Sequence, residues 1–164
     1  MKSVRFFLIV FLLQPALASF AQEEPVKDEK QPSLEQAADD SKFNNGINFM
    51  SLKRYDKALE EFIEYLEIYY DGSHRSEVYA RIAGIYFDRQ NYLKAISFYK
   101  GLYEEFSNTE DGIGGYYNMG ICYVKMGYND TAMDVFNYIL QEYPASSYAA
   151  KAQVQMDLLK IFIQ

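Results

Sequence analysis

The sequence has 164 residues and a formal net charge of −7, and 17% of its side chains are aromatic, all of them tyrosine or phenylalanine. This length allows one domain with a buried core, and so much aromatic surface excludes a chain that is disordered throughout. The acidic balance disfavours nucleic acid and anionic membrane surfaces as partners. The single cysteine excludes an internal disulfide.

Residues 1–21 have the pattern of a secretory signal peptide. Lys2 and Arg5 give a basic start, the apolar run FFLIVFLL follows at 6–13, and small residues suited to cleavage come next in QPALASFA. The apolar run is too short to span a bilayer. We therefore expect export, cleavage at about residue 18 or 21, and a soluble periplasmic protein. Loss of the two basic residues changes the formal charge from −7 to −9.

The next segment, 22–32, is charged and contains two prolines without any apolar periodicity. It is predicted to be a flexible linker. Ser33 and Gln36 then have the spacing of a capping box, which predicts that the first helix begins there. We expect residues 33–164 to form one all-α domain.

This domain repeats itself at an interval of 37 residues. Each repeat contains two segments whose apolar residues recur three and four positions apart, which predicts a pair of amphipathic helices. Two columns of small residues mark the alignment: Ala58, Ala95 and Ala132 in one, and Gly46, Ala83 and Gly120 in the other. The predicted units are about 40–74, 77–111 and 114–147, with a capping helix at 148–163.

The small residues predict a close approach of the two helices within a unit. Glycine inside a helix destabilises it by roughly 1 kcal/mol relative to alanine. Its presence at these positions therefore indicates that the two helices leave little space for a side chain between them. We expect Gly120 to face Ala132, and Gly46 to face Ala58, across the helix pair. A bulky residue at either partner is then expected to overpack the pair.

These columns resemble the tetratricopeptide repeat. The longer interval, compared with the usual 34 residues of that family, and the segment EYPASSYAAKAQ at 142–153 are similar to its envelope subgroup, which includes the Tol–Pal-associated cell division coordinator and the outer-membrane assembly lipoproteins. The resemblance implies an α-solenoid of about three helix pairs plus a capping helix. The best match to the signature is in the third unit, at Met119, Gly120, Tyr123, Gly127, Ala132, Phe136 and Pro144.

Catalytic and metal-binding constellations are not indicated by the sequence. His74 is the only histidine, so it has no second imidazole with which to hold zinc, and we expect it to be solvated in its loop. Cys122 has no histidine near it in sequence and occupies a column held by Asn48 and Ile85 in the other units, which favours a packing role. We expect no enzyme activity, no cofactor and no metal site.

In the family, the first helices of successive units line a concave groove. Carried over by position, the resemblance implies a largely apolar groove that binds a partner helix or peptide, with an open patch at Ala80 and Gly84. The alternative for several of these residues is packing between neighbouring helices. The predicted groove residues are Phe43, Ile47, Met50, Phe87, Asp88, Tyr117, Ile121, Val124 and Lys125.

The resulting functional prediction is a periplasmic adaptor for protein–protein interaction in cell-envelope assembly or maintenance. An alternative is a carrier of an apolar small molecule or lipid in the same groove. The partner is expected to be a protein or peptide. The apolar end of the C-terminal helix, LLKIFI, is a second candidate surface, for self-association or another partner, unless it only covers the third unit.

Overall fold

The computed structural model describes residues 33–163, and the predicted signal peptide and linker lie outside this range. The described chain folds into seven α-helices and contains no β-strand. This confirms the predicted all-α solenoid. The helices are α1 (Leu34–Ser51), α2 (Tyr55–Ile68), α3 (Arg75–Asp88), α4 (Tyr92–Phe106), α5 (Glu110–Lys125), α6 (Asn129–Glu142) and α7 (Ser147–Ile163). None of these helices is long and apolar enough to cross a membrane.

Local sequence signals set the helix ends. The Ser33 hydroxyl accepts a hydrogen bond from the Gln36 amide at 3.1 Å, as predicted for the start of α1. At the start of α5, the Thr109 hydroxyl accepts from the Gly112 amide at the same distance. Both bonds use amide groups that have no partner inside the helix.

The turn within each helix pair contains one residue with positive φ. Lys53 (φ 57°), Gln90 (φ 59°) and Gly127 (φ 77°) occupy this position, and they are separated by the 37-residue interval. This left-handed conformation is readily adopted only by glycine. The third unit therefore has the unstrained version of a turn that the first two units form with side-chain-bearing residues.

Within each unit the helices pack closely around the predicted small residues. Ala58, Ala95 and Ala132 are fully buried. A Cβ atom at Gly120 would lie 2.5 Å from Cε1 of Phe136, and one at Gly46 would overlap the ring of Phe62. The glycines therefore make room for an aromatic ring one turn beyond the alanine.

The helices fall into two classes. We call α1, α3, α5 and α7 the A-type helices and α2, α4 and α6 the B-type helices. Two successive pairs of A-type helices approach each other directly, α3 with α5 and α5 with α7. The B-type helices α4 and α6 are joined through long side chains, with the Tyr103 and Tyr138 hydroxyls 3.1 Å apart. The stack is therefore narrower on the A-type side, which is its inner face.

Candidate functional site

A cavity of about 380 Å³ opens between α3 and α5 on the inner face. Its walls come from the first halves of these two helices, with the loop before α3, the inner side of α4 and the start of α7 closing it. The residues that line it include Ser76, Glu77, Ala80, Asp111, Gly114, Asn118 and Tyr148. We call this space the α3–α5 cavity.

The α3–α5 cavity carries negative charge on its rim. Glu77 is exposed and pairs with Arg81 one turn along α3, with the Arg81 Nε atom donating at 2.9 Å. Asp111 is also exposed and accepts a hydrogen bond of 2.9 Å from the Ser76 hydroxyl, which joins α5 to α3. Ala80 lies exposed between them. The cavity can therefore accept an aliphatic group from a partner while offering hydrogen-bond acceptors at its edge.

The predicted open patch overlaps this cavity, because Ala80 lines it and Gly84 lies one turn farther along α3. A Cβ atom added at Gly84 would meet nothing within 4 Å, in contrast to the glycines at the helix-pair contacts. Because Ala80 is exposed one turn earlier, the middle of α3 presents a shallow strip of small residues to the inner face. This strip continues the α3–α5 cavity toward the C-terminal end of the helix.

None of the nine predicted groove residues lines the α3–α5 cavity. Phe43 is 8% exposed, and its ring stacks on His74 with the centroids 4.0 Å apart, so it belongs to the core. The residues that do line the cavity lie about one helical turn before the predicted column. Helical spacing is the signal that could have found them, because Glu77 and Gly114 precede Ala80 and Tyr117 by three residues.

Most of the other predicted residues are half-buried at the junctions between helices. Ile47 and Met50 pack on the core of the first unit. The rings of Phe87 and Tyr92 meet edge to face at 5.4 Å. Tyr117 contacts Phe136 at 5.5 Å and Tyr148 at 5.4 Å. Each of these side chains keeps one edge toward solvent. Ile121 and Val124 pack in the same manner on the third unit, whereas Asp88 and Lys125 are exposed at the ends of α3 and α5.

His74 is not solvated as predicted, because it belongs to a hydrogen-bonded cluster with Asp40, Tyr65, Ser73 and Asp39. We call this cluster the latch. The His74 Nε2 atom lies 2.7 Å from Asp40 Oδ1, while the His74 amide donates to the Tyr65 hydroxyl at 3.0 Å. Asp39, which is 5% exposed, accepts from the Ser73 amide and hydroxyl, both at 2.9 Å. Burial acts to raise the pKa of Asp39, but the nearby Tyr65 hydroxyl and the hydrogen bonds from Ser73 outweigh it and lower that pKa.

The latch brings three metal-ligating side chains together. One ligand atom from each of Asp39, Asp40 and His74 lies within 4.8 Å of the others. Their hydrogen bonds to each other and to Ser73 already use the imidazole nitrogen and one Asp39 oxygen. The arrangement therefore joins the start of α3 to α1, and we assign it this structural role.

Arg75 is a buried cation at the junction of the first two units. It is 7% exposed, and its guanidinium forms two hydrogen bonds with the Glu105 carboxylate. Its Nη1 atom also donates to the carbonyls of Leu66 at 2.9 Å and Tyr69 at 2.8 Å, at the end of α2. The hydrogen bonds from Arg75 lower the pKa of Glu105, although burial opposes them. The contact thus ties α2, α3 and α4 together.

Cys122 is fully buried in the core between α3, α4 and α5, as the packing prediction requires. Burial raises the pKa of its thiol to about 11. The reactive thiolate is therefore scarce at neutral pH, and the side chain is inaccessible to substrate.

Comparisons with known proteins support a tetratricopeptide-type fold. The sequence model of a family described as intraflagellar transport protein 56 matches residues 64–159, which is more than half of the chain. A solved structure, the N-terminal domain of stress-induced protein-1 (STI-1) from C. elegans, is similar with a TM-score of 0.61 and 17% identity, over 76% of this chain and 98% of that domain. At this identity the likeness concerns the fold alone. A search of curated proteins finds no match.

Proposed function

The chain belongs to the family described as intraflagellar transport protein 56, and from that premise we propose that it is a non-enzymatic scaffold that holds a protein partner on its inner face. The observation that carries the proposal is the α3–α5 cavity with its adjoining strip of small residues. Fold alone does not fix function. An uncovered concave surface with a few polar groups at its edge is nevertheless typical of a binding site.

The occupant that suits this surface is an extended peptide or a helix. Ala80 and Gly84 let a partner backbone approach α3 closely. The carboxylates of Glu77 and Asp111 can accept hydrogen bonds from backbone amides or side chains of the partner. The half-buried rings and aliphatic groups farther along the A-type helices offer apolar edges for alternate side chains. Such a combination of small, polar and apolar positions is used by groove-binding repeat proteins.

The test is position-specific photocrosslinking in cells. A photoreactive amino acid at position 80 faces the cavity, whereas one at Leu93, which is 69% exposed on the B-type helix α4, is the matched control. We expect one partner to be captured from position 80 and not from position 93. A Cβ atom at Gly84 would meet nothing within 4 Å, so Gly84→Phe should abolish capture and leave helicity unchanged. Equal capture from both positions, or capture that survives Gly84→Phe, would refute binding at this face.

Substitutions of Phe87 or Tyr117 are poorer tests of the groove. The rings of both residues pack against neighbours, Phe87 on Tyr92 and Tyr117 on Phe136. A charge at either position would therefore weaken the fold together with any binding. Gly84→Phe separates these two effects.

We further propose that the protein is exported and acts in the cell envelope. This rests on the basic and apolar pattern of residues 1–21 and on the sequence resemblance to the envelope subgroup. The family description, intraflagellar transport protein 56, favours a different setting, intraflagellar transport. N-terminal sequencing of the protein from its native cells distinguishes them. A mature chain that begins after residue 18 or 21 supports export, and a retained N terminus contradicts it.

A further inference from the structure

The latch contains a buried carboxylate with one oxygen atom that the described chain leaves without a partner. Asp39 is 5% exposed, and its Oδ2 atom accepts both hydrogen bonds from Ser73. Its Oδ1 atom is buried and has no hydrogen-bond partner among residues 33–163. A buried charged acceptor without a partner is strongly unfavourable. Such an atom therefore indicates that a group from outside the chain completes the site.

The charges around this oxygen atom favour a cation as the missing group. The pKa of Asp39 is lowered, so its carboxylate is ionised at neutral pH. Asp40 adds a second carboxylate, which pairs with the His74 imidazole at 2.7 Å. Within the part of the chain that the structure describes, no lysine or arginine forms an ion pair with Asp39 or Asp40. Two carboxylates beside one imidazole leave an excess of negative charge.

The ligand atoms are close enough to share one metal ion. One ligand atom from each of Asp39, Asp40 and His74 lies within 4.8 Å of the other two. Two ligands of a zinc ion, each at about 2.0–2.2 Å from it, are separated by at most about 4.4 Å. Small side-chain rotations therefore bring all three atoms within bonding distance of one ion. An imidazole nitrogen beside carboxylates suits zinc and similar transition metals better than calcium or magnesium, which take oxygen ligands.

Neighbouring groups fix the orientation of these side chains. The Ser73 amide and hydroxyl hold the Asp39 carboxylate, and the Phe43 ring stacks on the imidazole with the centroids 4.0 Å apart. Outer contacts of this kind orient metal ligands in proteins. The side chains of Asp40 and His74 are 44% and 26% exposed, so an ion can enter from solvent and water can complete its coordination.

We propose that the latch binds one divalent transition-metal ion of the zinc class. The free oxygen of Asp39, a carboxylate oxygen of Asp40 and Nε2 of His74 are its ligands, and water takes the remaining position. The ion replaces the hydrogen atom that joins Asp40 to His74, so binding releases protons. Two carboxylates here take the place of the second imidazole that the chain lacks. Because Asp39 and Asp40 lie on α1 and His74 precedes α3, the bound ion strengthens the structural role of the latch.

The test is a titration of the full chain, without a polyhistidine tag, with zinc chloride at about pH 7.5. Calorimetry should find one ion per chain, and the melting temperature should rise with the zinc concentration. His74 is the only histidine, so its imidazole ¹⁵N signals report on the site directly. Zinc should shift these signals, whereas magnesium at the same concentration should not. Absence of zinc binding, or binding that leaves the His74 signals unchanged, would overturn the proposal.

Three variants test which carboxylates bind the ion. Asp40→Asn should raise the zinc Kd at least about 10-fold and remove the zinc-dependent rise in melting temperature, with helicity unchanged. Asp39→Asn should raise the zinc Kd by a similar factor, measured at a temperature where circular dichroism shows the variant to be folded. Glu67→Gln removes the same charge from an exposed site on α2 and should leave the zinc Kd unchanged. Equal losses in Asp40→Asn and Glu67→Gln would show attraction by overall charge and refute the site.

Discussion

The contact between α5 and α6 at Gly120 gives a sharp test of how the helices of the third unit pack. A Cβ atom at Gly120 would lie 2.5, 2.8 and 3.1 Å from three ring atoms of Phe136, and that ring is fully buried. At Gly84 the same atom would meet nothing within 4 Å. Both glycines lie inside A-type helices, so Gly84→Ala is a matched control for Gly120→Ala.

The two substitutions share one free-energy contribution and differ in another. Alanine is favoured over glycine inside a helix by about 0.5–1 kcal/mol. Moving a buried ring to admit an extra methyl group costs typically about 1–3 kcal/mol. We therefore expect Gly84→Ala to raise the free energy of unfolding by about 0.5–1 kcal/mol and Gly120→Ala to lower it by about 0–2.5 kcal/mol. The difference of about 1–3 kcal/mol between them isolates the cost of displacing Phe136.

The measurement is urea unfolding of the full chain followed by far-UV circular dichroism, with a common slope for the wild type and both variants. Adding Phe136→Leu to Gly120→Ala should recover part of the loss, because the smaller side chain relieves the contact, and residues in contact couple by about 0.5–3 kcal/mol. If Gly120→Ala were as stable as Gly84→Ala, α5 and α6 would not be in close contact at this point. The explanation of the small-residue columns would then be wrong.

Three other predictions concern single positions. Gln90→Gly should raise the free energy of unfolding by up to about 1 kcal/mol by relieving positive φ, and an unchanged urea midpoint would contradict this. Because the pKa of Glu105 is lowered in the folded state, its ionised form stabilises the fold. This contribution to the free energy of unfolding is present above the ordinary pKa of 4.5 and is lost as pH falls through the folded-state pKa. Glu105→Gln should therefore lower the free energy of unfolding by about 1–3 kcal/mol at neutral pH and by less below pH 4. If urea titrations showed the same loss at every pH, the ion pair with Arg75 would be excluded as its cause. Cys122, with a pKa of about 11, should react with a thiol reagent only after unfolding; rapid labelling of the folded chain would show that the core is open.

The repeat and its core could be predicted from the sequence because they depend on residue size and spacing. Columns such as Gly46 with Gly120 and Ala58 with Ala132 recur at one interval, and each reports a packing position inside a helix pair. The family resemblance added the solenoid architecture. What the columns do not specify is which atoms meet, and the glycines prove to contact an aromatic ring one turn beyond the alanines.

The polar contacts between units could not be predicted in the same way. Arg75 occupies a position held by Gly112 in the next unit, so no recurring pattern marks its contact with Glu105. The latch at His74 likewise depends on Asp39, which is 35 residues earlier on another helix. Side chains that are distant in sequence meet here because successive units pack on each other. The α3–α5 cavity likewise lies between two units, where the spacing within one repeat does not specify the lining.

Serine–carboxylate contacts recur near the N-terminal ends of the A-type helices. Asp39 binds Ser73, Asp111 binds Ser76 at 2.9 Å, and Glu110 binds the Ser147 hydroxyl at 2.7 Å.

These contacts join successive units where the A-type helices begin. Farther along, the apolar core closes the junction, because Ala83 of α3 packs in one cluster with Met119 and Cys122 of α5. The exposed ion pair of Arg89 with Asp56, which joins the first two units, contributes little beside such a core. We therefore expect the distance between α3 and α5 to be fixed at both ends, so that the groove has one preset width. Spin-label distances between the two helices should be narrowly distributed at both ends, and a broad distribution beside Gly84 would show a groove that adjusts its span to the partner.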